Sequence, residues 1–157
     1  MEKSRKKRLK PYTVSGEANF TVEEAFTGYQ PMYTDNITLL IHSKKGLKAK
    51  AAFDFIHISG FSYQEFQETF NTTVKTIQNY DQQGNTLDAT LSEKLLKCFA
   101  LYAKGAEVFG SVDAFTEWLN TSAYGLGNQI PYELMDTITG IDLIEEELVR
   151  IEYGDLA

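Results

Sequence analysis

The sequence predicts an all-α protein in two parts, a helix-turn-helix followed by a second helical domain. Three observations support this. From Gly46 onward, apolar residues recur at steps of three and four. Three hydroxyl residues, Thr21, Ser62 and Thr90, stand three positions ahead of Glu24, Glu65 and Glu93, the capping-box spacing of a helix start. No segment alternates apolar and polar residues convincingly enough to read as a strand.

Residues 1–35 read as an N-terminal extension, partly disordered, whose only clear element is a short helix starting at Thr21. The segment Ile37–Ile41 is apolar and short, and suits either a strand or a helical turn or two. Leu47, Ala51, Phe55 and Ile58 then share one helical face. Ser62 and Glu65 open a short helix, with Phe61 and Phe66 at the two hydrophobic-staple positions around the cap. Phe70-Asn71-Thr72 interrupts it, and Thr72 or Thr73 caps a third helix. There Val74, Ile77 and Tyr80 face inward while Lys75, Thr76, Asn79 and Gln82 face outward. This unit, residues 36–88, ends after Gln82-Gln83-Gly84-Asn85.

The second domain spans residues 89–157. Thr90 and Glu93 open a long helix carrying Leu91, Leu95, Phe99, Tyr102, Ala106 and Phe109, and Gly110 stops it. Ser111 caps a helix with Phe115, Trp118 and Leu119, of which Trp118 and Leu119 read as core. A glycine-bearing loop, residues 121–130, precedes a turn begun by Pro131. Gly140 is expected to separate that turn from a last helix with Ile141, Ile144, Leu148 and Ile151 on one stripe.

Ten Phe and nine Tyr provide large side chains for a core. A lone Cys98 cannot form a bridge within one chain, which suits a reducing cytoplasm. No apolar run is long enough for a membrane span, and the basic start has no apolar stretch after it, so a soluble, cytoplasmic protein is expected. The net charge of −7 is unevenly spread. Six Lys/Arg against Glu2 occupy the residues through Thr13, while eight Asp/Glu against Arg150 occupy residues 131–157. A basic head and an acidic tail suggest two different partners.

Residues 62–82 have the build of a helix-turn-helix. A second helix with a polar outer face fits the major groove and reads base edges near its N-terminus. The candidate DNA contacts are Thr72, Thr73, Lys75, Thr76, Gln78 and Asn79, with Lys75 suited to a phosphate. This face is only weakly basic, so paired half-sites read by a homodimer, or help from the basic head Lys3–Arg8, are expected. His42, His57 and Cys98 give no metal-ligand spacing, and no phosphate-cradling glycine loop precedes a helix with a Lys. The run Glu145–Glu147 reads as a solvated helix face. No catalytic residue, metal, cofactor, small-molecule substrate or enzymatic activity is expected.

The C-terminal third carries an ordered series of short motifs: Val108–Gly110, Ala114–Leu119, Gly125–Gly127, Ile130–Leu134, Thr137–Gly140 and Glu147–Gly154. This series resembles the toxin-binding domain of the Xre/MbcA/ParS antitoxin family, and residues 62–79 resemble that family's helix-turn-helix. Two positions depart from the family pattern: Asn128 stands where a second loop glycine is usual, and Asn79 where Arg is common. The resemblance implies an antitoxin of a type II toxin–antitoxin pair. Its implied partners are a cognate RES-type toxin that consumes NAD⁺, whose cleft it covers, and its own operator DNA, which it represses. The residues implied in toxin contact are Asn128, Arg150, Glu152, Tyr153 and Gly154, with residues 150–157 lying across the cleft. The competing expectation is a stand-alone helix-turn-helix regulator whose C-terminal domain serves dimerisation or another partner.

Overall fold

The computed structural model describes residues 21–154, and the basic head and residues 155–157 lie outside it. Eight α-helices form among the described residues: α1 (Val22–Tyr29), α2 (Asn36–Lys45), α3 (Lys50–Ser59), α4 (Tyr63–Phe70), α5 (Val74–Gln83), α6 (Ala89–Phe109), α7 (Val112–Leu119) and α8 (Ile138–Glu152). The fold is all-α. No strand forms among these residues; isolated antiparallel bridges, Lys48 with Thr86 and Ala123 with Gln129, pin two loops.

The capping boxes expected at Thr21 and Ser62 form, each with both of its reciprocal bonds. The ambiguous Ile37–Ile41 segment is helical, because the Asp35 carboxylate accepts from the Thr38 N–H at 2.8 Å and starts α2 ahead of it. Two expected helix starts are corrected. The cap of α6 is Asp88, which accepts from the Leu91 N–H at 2.8 Å, and Thr90 lies inside the first turn. The Leu87 N–H donates to the Leu47 carbonyl at 2.8 Å, which keeps the chain non-helical until Asp88. Gly140 does not separate α8 from the preceding turn but sits within its first turn, capped by Thr137. A side chain at Gly140 would come within 1.7 Å of the Leu134 carbonyl oxygen, so close approach explains this glycine.

Helix α6 is the axis of the fold. Leu95, Leu96, Cys98, Phe99, Leu101 and Tyr102 are all buried, so the helix is covered on nearly every side. Helices α1, α2, α3, α7 and α8 all pack on it. The domain boundary read from the sequence, residue 89, is thus the start of the element that both parts share. Phe55 of α3 meets Phe61, Phe70, Phe99 and Tyr102 edge-on, at centroid distances of 5.4, 5.4, 5.5 and 5.3 Å. Edge-to-face geometry sets each ring's positive rim against its neighbour's negative face. Trp118, expected in the core, is half-buried and stacks on Phe109 and Phe115 at its margin.

Residues 21–35 are folded onto this body. The Tyr29 ring stacks on Phe99 at 4.1 Å, and its hydroxyl donates to the buried Asp54 carboxylate at 2.5 Å. Lys50 pairs with the same carboxylate at 2.9 Å.

The buried groups make the fold sensitive to alkali. Burial pushes the Cys98 thiol from 9.0 up to about 12, and burial also raises the hydroxyls of Tyr29 and Tyr102 above the usual tyrosine range. Between about pH 9 and 12 the folded chain therefore holds a thiol proton that the unfolded chain releases, and stability falls as pH rises. The urea midpoint should decline steadily above about pH 9, and a thiol reagent should label Cys98 only as fast as the protein unfolds. A flat midpoint, or rapid labelling of the native protein, would contradict this account of the core.

Candidate interaction surfaces

The first surface is built by α4 and α5. Ser62 Oγ accepts from the Glu65 N–H at 3.1 Å, Glu65 accepts from the Ser62 N–H at 3.0 Å, and Phe61 and Phe66 are buried on either side. Asn71, at φ 50°, takes the left-handed conformation that ends α4. Thr73 then caps α5, accepting from the Thr76 N–H at 3.1 Å and sharing a hydroxyl bond with Thr76 at 2.8 Å. A second free N–H of α5, that of Val74, donates to Gln67 Oε1 of α4 at 3.1 Å, so one helix fixes the start of the next.

Val74 and Ile77 are buried, which turns Thr73, Lys75, Thr76 and Asn79 to solvent as one group. Thr72 and Gln78 are half-buried at its edges. The charge here is sparse: α4 and α5 carry Glu65, Glu68 and Asp81 against Lys75. Among the described residues, Lys50, Lys97, Lys104 and Arg150 are ion-paired with carboxylates, and Lys94 is buried on backbone carbonyls. The exposed cations that remain are Lys44, Lys45, Lys48 and Lys75. Lys48 is bridged to Thr86, just beyond the C-terminal end of α5.

The second surface is the outer side of α8. Ile141, Ile144, Glu147 and Leu148 are buried. The opposite side exposes Leu143 (42%), Val149 (39%) and Tyr153 (74%) together with Glu145 and Glu146. The expectation of a solvated Glu145–Glu147 run is corrected at its last member. Glu147 is 3% exposed, and its carboxylate accepts from Arg150 Nε at 2.8 Å and pairs with the second guanidinium nitrogen at 2.6 Å. That carboxylate is packed against Gly125, where an added methyl would stand 2.2 Å from both Glu147 oxygens. The loop carrying Tyr124 is thereby held beside α8, and Tyr124 itself is 80% exposed.

The expected toxin-contact residues are spread around this surface. Asn128 lies on the exposed loop at φ 60°, directly after Gly127 at φ 65°, and its N–H donates to the Ala123 carbonyl at 3.0 Å. Asn tolerates this left-handed conformation better than other side chains do, so it replaces a glycine without rebuilding the turn. Arg150 is engaged by Glu147, and the Glu152 carboxylate is held by Lys104 of α6. Tyr153 and Gly154 end α8 in solvent. Sequence reasoning missed Tyr124, Leu143 and Val149. The signal for the last two was present: both are apolar and out of phase with the buried Ile141–Ile144–Leu148 stripe.

Among the described residues no group of three or more His, Cys, Asp or Glu could hold a metal ion, and no helix is long and apolar enough to cross a membrane. Residues 104–154 match the family model of the antitoxin Xre/MbcA/ParS C-terminal toxin-binding domain. The matched segment is made of the last turns of α6 with α7, the Tyr124 loop and α8. Comparison with curated proteins finds no match.

The contact between Gly125 and Glu147 can be measured. Gly125→Ala should destabilise the protein by about 1–3 kcal/mol through overpacking, and by clearly less when Glu147 is already Ala. Additive effects in a double-mutant cycle of urea midpoints would show that the loop is not seated on this carboxylate.

Proposed function

We propose that this protein is the antitoxin of a type II toxin–antitoxin pair. It neutralises a RES-type, NAD-consuming toxin by covering its active-site cleft and, as a cytoplasmic homodimer, represses its own operon by binding operator DNA. The role is one of binding, not catalysis. The observation that carries this reading is the exposure of Leu143, Val149 and Tyr153 on α8 and of Tyr124 on the adjoining loop, within the segment that matches a toxin-binding domain. Exposed apolar side chains with two tyrosines and acidic neighbours have the composition of an interface core and rim. A cleft that accepts the diphosphate of NAD⁺ is expected to be basic, and the exposed Glu145 and Glu146 of α8 would steer the two surfaces together.

In this reading Asn128, Arg150, Glu152, Tyr153 and Gly154 contact the toxin together with these residues, and the chain beyond Gly154 continues across the cleft. Arg150 acts mainly by keeping Glu147, and with it the Tyr124 loop, in place. Operator contact falls to Thr72, Thr73, Lys75, Thr76, Gln78 and Asn79. Lys48 adds a second exposed cation past the far end of α5. With so few cations on one recognition helix, two copies reading paired half-sites are needed for specific affinity.

Two measurements test the two halves separately. Co-expression with the neighbouring reading frame should relieve its toxicity, and Val149→Asp should abolish that protection while leaving the melting temperature unchanged. A stable Val149→Asp variant that still protects would move the toxin contact off α8. On the upstream promoter, Lys75→Glu should weaken binding for every sequence and reduce the salt slope by about one phosphate contact. Unchanged binding would remove α5 from the DNA contact.

A further inference from the structure

Helix α2 packs Leu39 and Ser43 inward, against α6, and turns three large apolar residues to solvent. Ile37, Leu40 and Ile41 are 73%, 47% and 59% exposed. They are spaced three and four apart, so they form one stripe, and the next position on it is Lys44. Single exposed apolar residues are ordinary, but a contiguous stripe on a firmly packed helix is characteristic of a contact surface. The other exposed large hydrophobic residues, Tyr124, Leu143, Val149 and Tyr153, belong to the α8 surface, so the α2 stripe is a second patch.

The ends of α2 indicate its occupant. Asp35 caps its N-terminus, and hydrogen bonds from the backbone and side chain of Thr38 hold its carboxyl below the usual range, so it is ionised. Lys44 and Lys45 lie exposed at its C-terminus. This order of charges is complementary to its own reverse. We propose that α2 is the homodimer interface, packing antiparallel on α2 of a second copy about a two-fold axis near Leu40 and Ile41. Each Asp35 then meets the lysine end of the opposite helix, and the apolar stripes cover each other. A parallel arrangement would set acid against acid and lysine against lysine. A contact of this type is isologous and closes at two copies.

The proposal rests on the homodimer in the functional reading, and the experiment separates the two. Sedimentation equilibrium of the full chain should give a dimer at micromolar concentration. Ile41→Glu should weaken dimerisation by about 100-fold or more, because the two-fold axis buries two unpaired carboxylates side by side. Since Ile41 is exposed, its melting temperature as a monomer should be unaffected. Lys44→Glu with Lys45→Glu should also weaken the dimer, and Leu40→Cys should cross-link to its own copy under mild oxidation. Glu117→Cys, exposed on α7, should not cross-link. A monomeric wild type would overturn both the dimer and the surface. A dimer that survives Ile41→Glu, or that cross-links through position 117 rather than 40, would overturn the α2 interface alone.

Discussion

Lys94 sits in the second turn of α6, only 9% exposed, with its ammonium 5.5 Å from the centre of the Phe70 ring. It donates to two backbone carbonyls far apart in sequence, that of Thr69 near the end of α4 and, at 2.6 Å, that of Asp136 ahead of α8. Burial pulls its pKa below the ordinary lysine range, a sign that the charge gives up water to be there. An ammonium in such a place is tolerated only while both acceptors stay in position. The α4–α5 pair and the segment leading into α8 are therefore tied to one cation, with the Thr69 carbonyl also offering it the negative end of α4.

Around that tie the two surfaces take up a defined relation. Of the helices that carry them, α8 packs directly on α6, and α4 is joined to α6 through Lys94. The α4–α5 unit is set by Gln67, Thr73 and the Phe61–Phe66 pair, and α8 by Thr137, Glu147 and the ion pairs of Asp142 and Glu152 with Lys97 and Lys104. The hydrogen bonds that define each surface are mostly local, while the two are placed relative to each other through Lys94 of α6 and through Tyr132, which meets Thr69 and Phe61.

Local physics explains why much of this was legible in the sequence. Capping boxes at Thr21 and Ser62, the interruption at Asn71 and the stop at Gly110 are all decided within a few residues. What was misread depends on distant chain. Thr90 and Glu93 satisfy the capping-box spacing, yet Asp88 wins because Leu87 is held by Leu47. Gly140 looked like a break, and only the Leu134 carbonyl reveals it as a contact. Three successive glutamates looked solvated, and the burial of Glu147 follows from Gly125 and Arg150. The partner of Glu152, Lys104, is likewise set by tertiary packing, whereas Glu147 and Arg150 are an i, i+3 pair within α8.

The stretch that matches the toxin-binding domain begins at Lys104, inside the continuous helix Ala89–Phe109. Inheritance of that domain is consequently a matter of helical phase. One residue gained or lost between Lys94 and Lys104 would rotate everything beyond it by about 100° and carry Phe115, Trp118 and α8 away from their seats. Any change of length here that keeps the fold must therefore preserve the register of this helix.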